Sequence, residues 1–172
     1  MKKQSAFDLE EKNVFITGAT AGIGLGVAKR LVSANAEVII SGRRDSGADI
    51  AADIGARFVR MDVADEKSIE TGIRAAVDMF SGRLDVLILN AGIGEDAGML
   101  PALDMAVFRR VMDVNLSGVA ACLNEGARHM IAGGIFQFLA SDASAPVTGA
   151  IVRADDGLGC GLSLPACTKL MG

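Results

Sequence analysis

Short, unbroken apolar runs alternate with segments of helical period through most of this chain, and that alternation restricts its fold more than any other feature. Val14-Phe15-Ile16, Val38-Ile39-Ile40, Phe58 to Met61, Val86 to Leu89 and Ile135 to Leu139 read as strands. A strand that is apolar at successive positions buries both of its faces. The first intervening helix covers 22 to 34, with Ile23, Val27, Leu31 and Val32 on one face. A short helix over 46 to 54 stops at Gly55, a favoured residue just past a helix end. Asp65 stands where an N-cap belongs, ahead of a stripe of Ile69, Ile73, Val77 and Phe80. A long helix is expected over 104 to 130, its apolar stripe formed by Phe108, Met112, Leu116, Val119, Leu123, Ala127 and Met130. Strands buried on both faces and joined by amphipathic helices are parallel. Right-handed crossovers then give an α/β, doubly wound, Rossmann-type sheet of five parallel strands.

The pattern stops after Leu139. Ala140 to Gly149 reads ASDASAPVTG, with no helical period, and Ala150 to Arg153 is a candidate strand. So short a link cannot hold a crossover helix, which takes about a dozen residues. A strand there pairs antiparallel at the sheet edge or stays outside the sheet. We therefore expect one Rossmann-type domain over 1–155. The Gly-rich tail at 156–172 is expected to be poorly ordered.

Composition narrows the function classes. The 172 residues suit one domain, and 51% hydrophobic against 22% charged residues is an ordinary globular balance. A net charge of −4 gives no long-range attraction for nucleic acid or anionic lipid. No run reaches the ~18 apolar residues of a membrane span, and the polar start MKKQSAFDLEEKN lacks a signal core. Cys122, Cys160 and Cys167 show no paired or metal-binding spacing. Reduced thiols and a cytoplasmic location, with no metal, nucleic acid or membrane as partner, are the expectation.

Between the first strand and the first helix lies Thr17-Gly-Ala-Thr-Ala-Gly22-Ile-Gly24. A chain that leaves a strand and enters a helix so abruptly needs dihedrals that glycine tolerates. Missing side chains let the backbone approach a pyrophosphate, and the helix start offers free N–H groups and partial positive charge. A glycine triplet alone says little; in a strand-turn-helix it points to a dinucleotide.

These residues resemble the TGxxxGIG fingerprint of the classical short-chain dehydrogenase/reductase family, and further matches follow in the family's order. Asp62-Val63 ends the third strand, Asn90-Ala91-Gly92 resembles an NAG motif after the fourth, Asp113-Val-Asn115-Leu resembles the segment with the catalytic asparagine, and Ser141 follows the fifth strand. The resemblance implies cofactor contacts at Gly18, Thr20, Gly22, Ile23, Gly24, Asp62, Val63, Asn90, Ala91 and Gly92. It implies catalytic roles for Asn115 and Ser141. It also implies hydride transfer between a nicotinamide dinucleotide and a small-molecule alcohol or carbonyl. An NAD site usually places an acid near the end of the second strand. Here that strand ends Ser41-Gly42-Arg43-Arg44. Arg43 suits a 2′-phosphate instead, so NADP is expected, with NAD the alternative.

The resemblance breaks where the family carries a Tyr-x-x-x-Lys pair. The sequence contains no tyrosine. After Ser141, DASAPVTGAIVRADDG resembles the family's last strand, as though an internal truncation had removed the Tyr/Lys helix and the substrate loop. Pro165-Ala-Cys-Thr-Lys169 has the spacing but a proline in the tyrosine's place, and His129 lies near the end of the long helix. In the family the tyrosine is the general acid and base, a role that an amide or an unactivated hydroxyl does not fill. Three readings stay open: an oxidoreductase by descent with little or no turnover, a non-catalytic NADP-binding partner of a full-length homologue, and a decayed gene product. The resemblance implies pairing through the long fourth-crossover helix and the helix after the fifth strand; loss of the second leaves the apolar face of 104 to 130 partly bare, so a homo- or hetero-oligomer is expected.

Overall fold

Four of the apolar runs become one parallel sheet. The structure is a computed structural model and describes residues 9–133. Its strands are β1 (Asn13–Ile16), β2 (Glu37–Gly42), β3 (Arg57–Arg60) and β4 (Val86–Ile88), in the order β3-β2-β1-β4. The register sets Phe15 beside Ile39 on one flank and Leu87 on the other. The fifth strand, the strand at 150–153 and the 156–172 tail lie outside the described residues.

Alternate side chains of each strand enter separate cores, as expected of a sheet covered on both faces. Phe15, Ile39, Val59 and Met61 pack with Ile69, Ile73, Val77 and Phe80 of α3 (Glu66–Met79) and its end. Val14, Ile16, Val38 and Ile40 pack on the opposite face with Ala28 of α1 (Gly22–Val32) and Ala51 of α2 (Gly47–Asp53). Full burial of each such side chain is worth about 1.5–3 kcal/mol. Asp65 caps α3 as expected, its carboxylate accepting from the N–H groups of Lys67 and Ser68. Ile23 departs from its expected buried face and is 82% exposed. It occupies the first turn of α1, past the carboxyl end of β1, where no sheet lies beneath it.

The long helix needs a larger correction. It is α4 (Met105–Met112), a π-helical turn (Asp113–Ser117) and α5 (Gly118–Gly133) in succession. The expected apolar stripe is not the buried one: Phe108, Leu116 and Leu123 are exposed. Val114, Gly118, Cys122 and Gly126 are buried instead. The physical reason is distance. A Cβ on Gly118 would stand 2.2 Å from the Val63 carbonyl oxygen, and one on Gly126 would stand 2.3 Å from Leu87 Cδ2. The helix packs along its smallest residues, and the larger apolar side chains Phe108, Leu116 and Leu123 face outward. Among the described residues no helix is long and apolar enough to cross a membrane.

Candidate functional site

The carboxyl ends of all four strands open on one cleft of roughly 830 Å³, within the usual range for a small-molecule site. From β1 the chain builds β2 and β3 on one flank, then returns to place β4 on the other. Open α/β sheets bind ligands at such a reversal. Each strand contributes: the turn after β1, Gly42 to Arg44 after β2, Met61 to Val63 after β3 and Asn90 to Ile93 after β4.

The turn after β1 is shaped for close approach. Gly18 has φ +65° and Gly22 φ +58°, the left-handed region that glycine enters at little cost. A Cβ on Gly18 would lie 2.6 Å from Ala91 Cα, and one on Gly24 would lie 2.4 Å from Asn90 Nδ2. The space beside Gly22 is open. Helix α1 begins after Ala21, which offers no capping side chain, and its first turn holds no acid. The first N–H groups of a helix have no intrahelical acceptor. Here they border the cleft with their partial positive charge uncompensated, the donor set that a pyrophosphate requires. The residues present thus fit a dinucleotide.

Thr17 holds the two walls together. Its buried Oγ1 accepts from the N–H groups of Asn90 and Ala91, both at 3.1 Å. The Asn90 amide in turn donates to the carbonyls of Thr17 and Gly18, each at 3.1 Å. In the sequence Thr17 stands only as the start of the glycine run; its polar character at an otherwise apolar strand end is the signal that marks it. Thr20 packs against Gly42, where a Cβ would meet its Cγ2 at 2.8 Å.

At the far rim, Arg43 and Arg44 are exposed, line the cleft and form no ion pair among the described residues. Asp62 Oδ1 accepts from Ala64 N at 3.0 Å, and Asp62 N donates to Ser68 Oγ at 2.9 Å. The half-buried Asp62 and Val63 face the same cleft. All eleven residues singled out as cofactor contacts are therefore gathered on one surface, joined by Ala21, Gly42, Arg44, Met61, Ile93 and Val114, which were not among the expected contacts.

The two residues given catalytic roles fare differently. Asn115 sits in the π-helical turn, and its amide clasps one backbone residue: Oδ1 accepts from Ile93 N at 2.8 Å and Nδ2 donates to Ile93 O at 2.7 Å. Its side chain holds the strand-end loop and lines no part of the cleft. Ser141 and the Pro165–Lys169 segment lie outside the described residues. His129 is on α5, 3.3 Å from Glu125 Oε1 and away from the cleft. Cys122 is buried beneath the π-helical turn, and burial pushes its thiol up to about 11.

A parallel sheet whose β1–α1 turn closes on the end of β4 is a Rossmann-type fold. Comparison with known proteins narrows the class. The family described as short chain dehydrogenase matches residues 12–150. Cis-4-hydroxycyclohexanecarboxylate dehydrogenase of Sinomonas cyclohexanicum is 41% identical over 129 residues, 72% of this chain and 51% of that protein. A short-chain type dehydrogenase/reductase from Mycobacterium ulcerans superposes with a TM-score of 0.70 at 29% identity, covering 74% of this chain and 49% of the other. An NADH-dependent reductase of alginate metabolism superposes at 0.68 with 29% identity, over 76% and 56% of the two chains. The chain belongs to the short-chain dehydrogenase/reductase family, and it spans about half the length of the curated relatives it matches.

Proposed function

We propose that this chain binds a nicotinamide dinucleotide in the strand-end cleft, that the dinucleotide is NADP, and that the chain by itself does not turn over. The uncapped start of α1 at the sheet's reversal point carries the binding reading. In it, the N–H groups of Gly22, Ile23 and Gly24 take the pyrophosphate. Asp62 and the Val63 backbone take the adenine, and Asn90, Ala91 and Gly92 bound the inner ribose and nicotinamide. A bound nicotinamide supplies or accepts a hydride. Arg43 takes the 2′-phosphate: no acid stands among Ser41, Gly42, Arg43 and Arg44, and the Arg43 guanidinium has no partner among the described residues to compete for it. The substrate class implied by the family is a small alcohol or carbonyl, and the cytoplasm is the setting we assign to it.

The lack of tyrosine carries the catalytic half. Reduction of a carbonyl builds alkoxide character on oxygen, and a positioned acid contributes typically ~10²–10⁴-fold. With Asn115 engaged by Ile93 and no tyrosine to act, the proton has no donor of the family's type. Calorimetric titration should show tighter binding of NADPH than NADH, and Arg43→Ala should remove ~1.5–3 kcal/mol from NADPH binding alone. NADPH oxidation should be undetectable across a panel of ketones. Equal affinities for the two dinucleotides would sink the NADP reading. Turnover on the order of 1 s⁻¹, lost in Ser141→Ala, would sink the catalytic one.

A further inference from the structure

The turn that presents Arg43 is tied down by a residue that no motif marks. Arg60 ends β3 opposite Gly42 in the β2–β3 register. Its Nε donates to the Arg43 carbonyl at 3.1 Å. Its NH1 stands 3.5 Å from Asp45 Oδ1. One guanidinium thus reaches both the backbone of Arg43 and the one carboxylate of the Arg43–Gly47 segment. Met61 N, donating to Gly42 O at 3.0 Å, fixes the start of the same turn.

We propose that Arg60 is a positioning residue for dinucleotide selection: by holding the Arg43 carbonyl and neutralising Asp45, it makes the turn after β2 a site for a 2′-phosphate. The proposal rests on the NADP reading given above. An acid near the end of the second strand is the usual acceptor for a free ribose 2′-hydroxyl. Asp45, two residues beyond Arg43, would oppose a dianionic 2′-phosphate and favour the hydroxyl if its charge stood uncompensated. Paired with Arg60, its charge is offset, and Arg43 and Arg44 set the sign of the rim. The pair is well exposed, with 68% and 84% of the two side chains in water. An exposed pair adds little to stability, so its loss leaves the fold intact and shows itself in selectivity.

The test is fluorescence titration of NADPH and NADH at low ionic strength, where screening is weakest. It compares the wild-type chain, Arg43→Ala, Arg60→Gln and Arg60→Gln/Asp45→Asn. Arg60→Gln should lower the NADPH-to-NADH affinity ratio roughly fivefold, the effect of a unit charge a few ångströms away in water, with an unchanged melting temperature. Adding Asp45→Asn should restore most of that ratio, which a merely structural role for Arg60 would not do. If Arg43→Ala lowers the ratio and Arg60→Gln does not, the clamp is wrong and the NADP reading survives. A double variant as unselective as Arg60→Gln alone likewise overturns it. A wild-type chain with no preference, or an unaffected Arg43→Ala, overturns the NADP reading and the clamp with it.

Discussion

Single atoms decide much at the cleft. Gly24 has no room for a methyl group: a Cβ would meet Asn90 Nδ2 at 2.4 Å and Ala19 Cα at 2.9 Å. Gly24→Ala should push Asn90 off the carbonyls of Thr17 and Gly18, cost about 1–3 kcal/mol of stability as overpacking does, and abolish dinucleotide binding by calorimetry. Gly26, two residues beyond on the same helix, faces open space. Gly26→Ala should instead stabilise by ~0.5–1 kcal/mol, a contrast of sign between two glycines readable in one set of urea titrations. Cys122 offers a separate check. Burial raises its thiol from an ordinary 9.0 to about 11. The folded chain then keeps a proton that the unfolded chain releases. This contribution to stability is whole below pH 9 and declines as pH rises from 9 toward 11. At pH 8 the folded thiol should alkylate far more slowly than the same thiol in urea, with peptide mass spectrometry separating Cys122 from Cys160 and Cys167. Equal rates would mean that the sulfur is accessible.

Among the elements, the π-helical turn controls how the fourth crossover meets the sheet. Gly118→Ala would drive a Cβ into the Val63 carbonyl, a backbone atom that cannot swing aside as a side-chain tip does. A loss of about 1–3 kcal/mol should appear as a lower urea midpoint, together with weaker dinucleotide binding because Val63 borders the cleft. An unchanged midpoint would show that the helix lifts away freely. This region is also where sequence reading fell short. The first four strands and the first three helices were legible because burial on both faces leaves unbroken apolar runs, and because Asp65 and the glycine turn mark helix starts by chemistry. The long helix carried two candidate stripes. Hydrophobicity pointed to Phe108, Leu116 and Leu123; close approach selected Val114, Gly118, Cys122 and Gly126. Period counting assumes a constant pitch and scores size as apolar content, so it could see neither the wider turn nor the premium on small residues. Arg60 was hidden for a different reason: its partnership with Arg43 and Asp45 exists only through the β2–β3 register, which no local pattern encodes.

For the molecule as a whole, Met105, Phe108, Leu116 and Leu123 stand at 45%, 39%, 57% and 50% exposure along the same crossover. Apolar side chains grouped in this way favour association. The protein should self-associate, or pair with a full-length homologue, at concentrations of tens of micromolar. Light scattering should report more than the 17.7 kDa of one chain, and Leu116→Glu with Leu123→Glu should return it to that mass. A wild-type sample already at the single-chain mass would count against the association.

The bonds from Asn90 and Ala91 to Thr17 join positions more than seventy residues apart in sequence. β1 can align with β2 soon after both exist, but its other flank must wait for β4. Pairings between distant segments pay their loop-closure entropy before any contact rewards it. Both walls of the cleft depend on that late closure, because the glycine turn leans on Asn90 and Ala91 from across the gap. Competence to bind therefore arrives together with the last long-range step of folding. If only the closed chain holds the proposed dinucleotide, a bound molecule stabilises the closed form by mass action. A refolding chain should acquire its helical signal first and its grip on the dinucleotide afterwards.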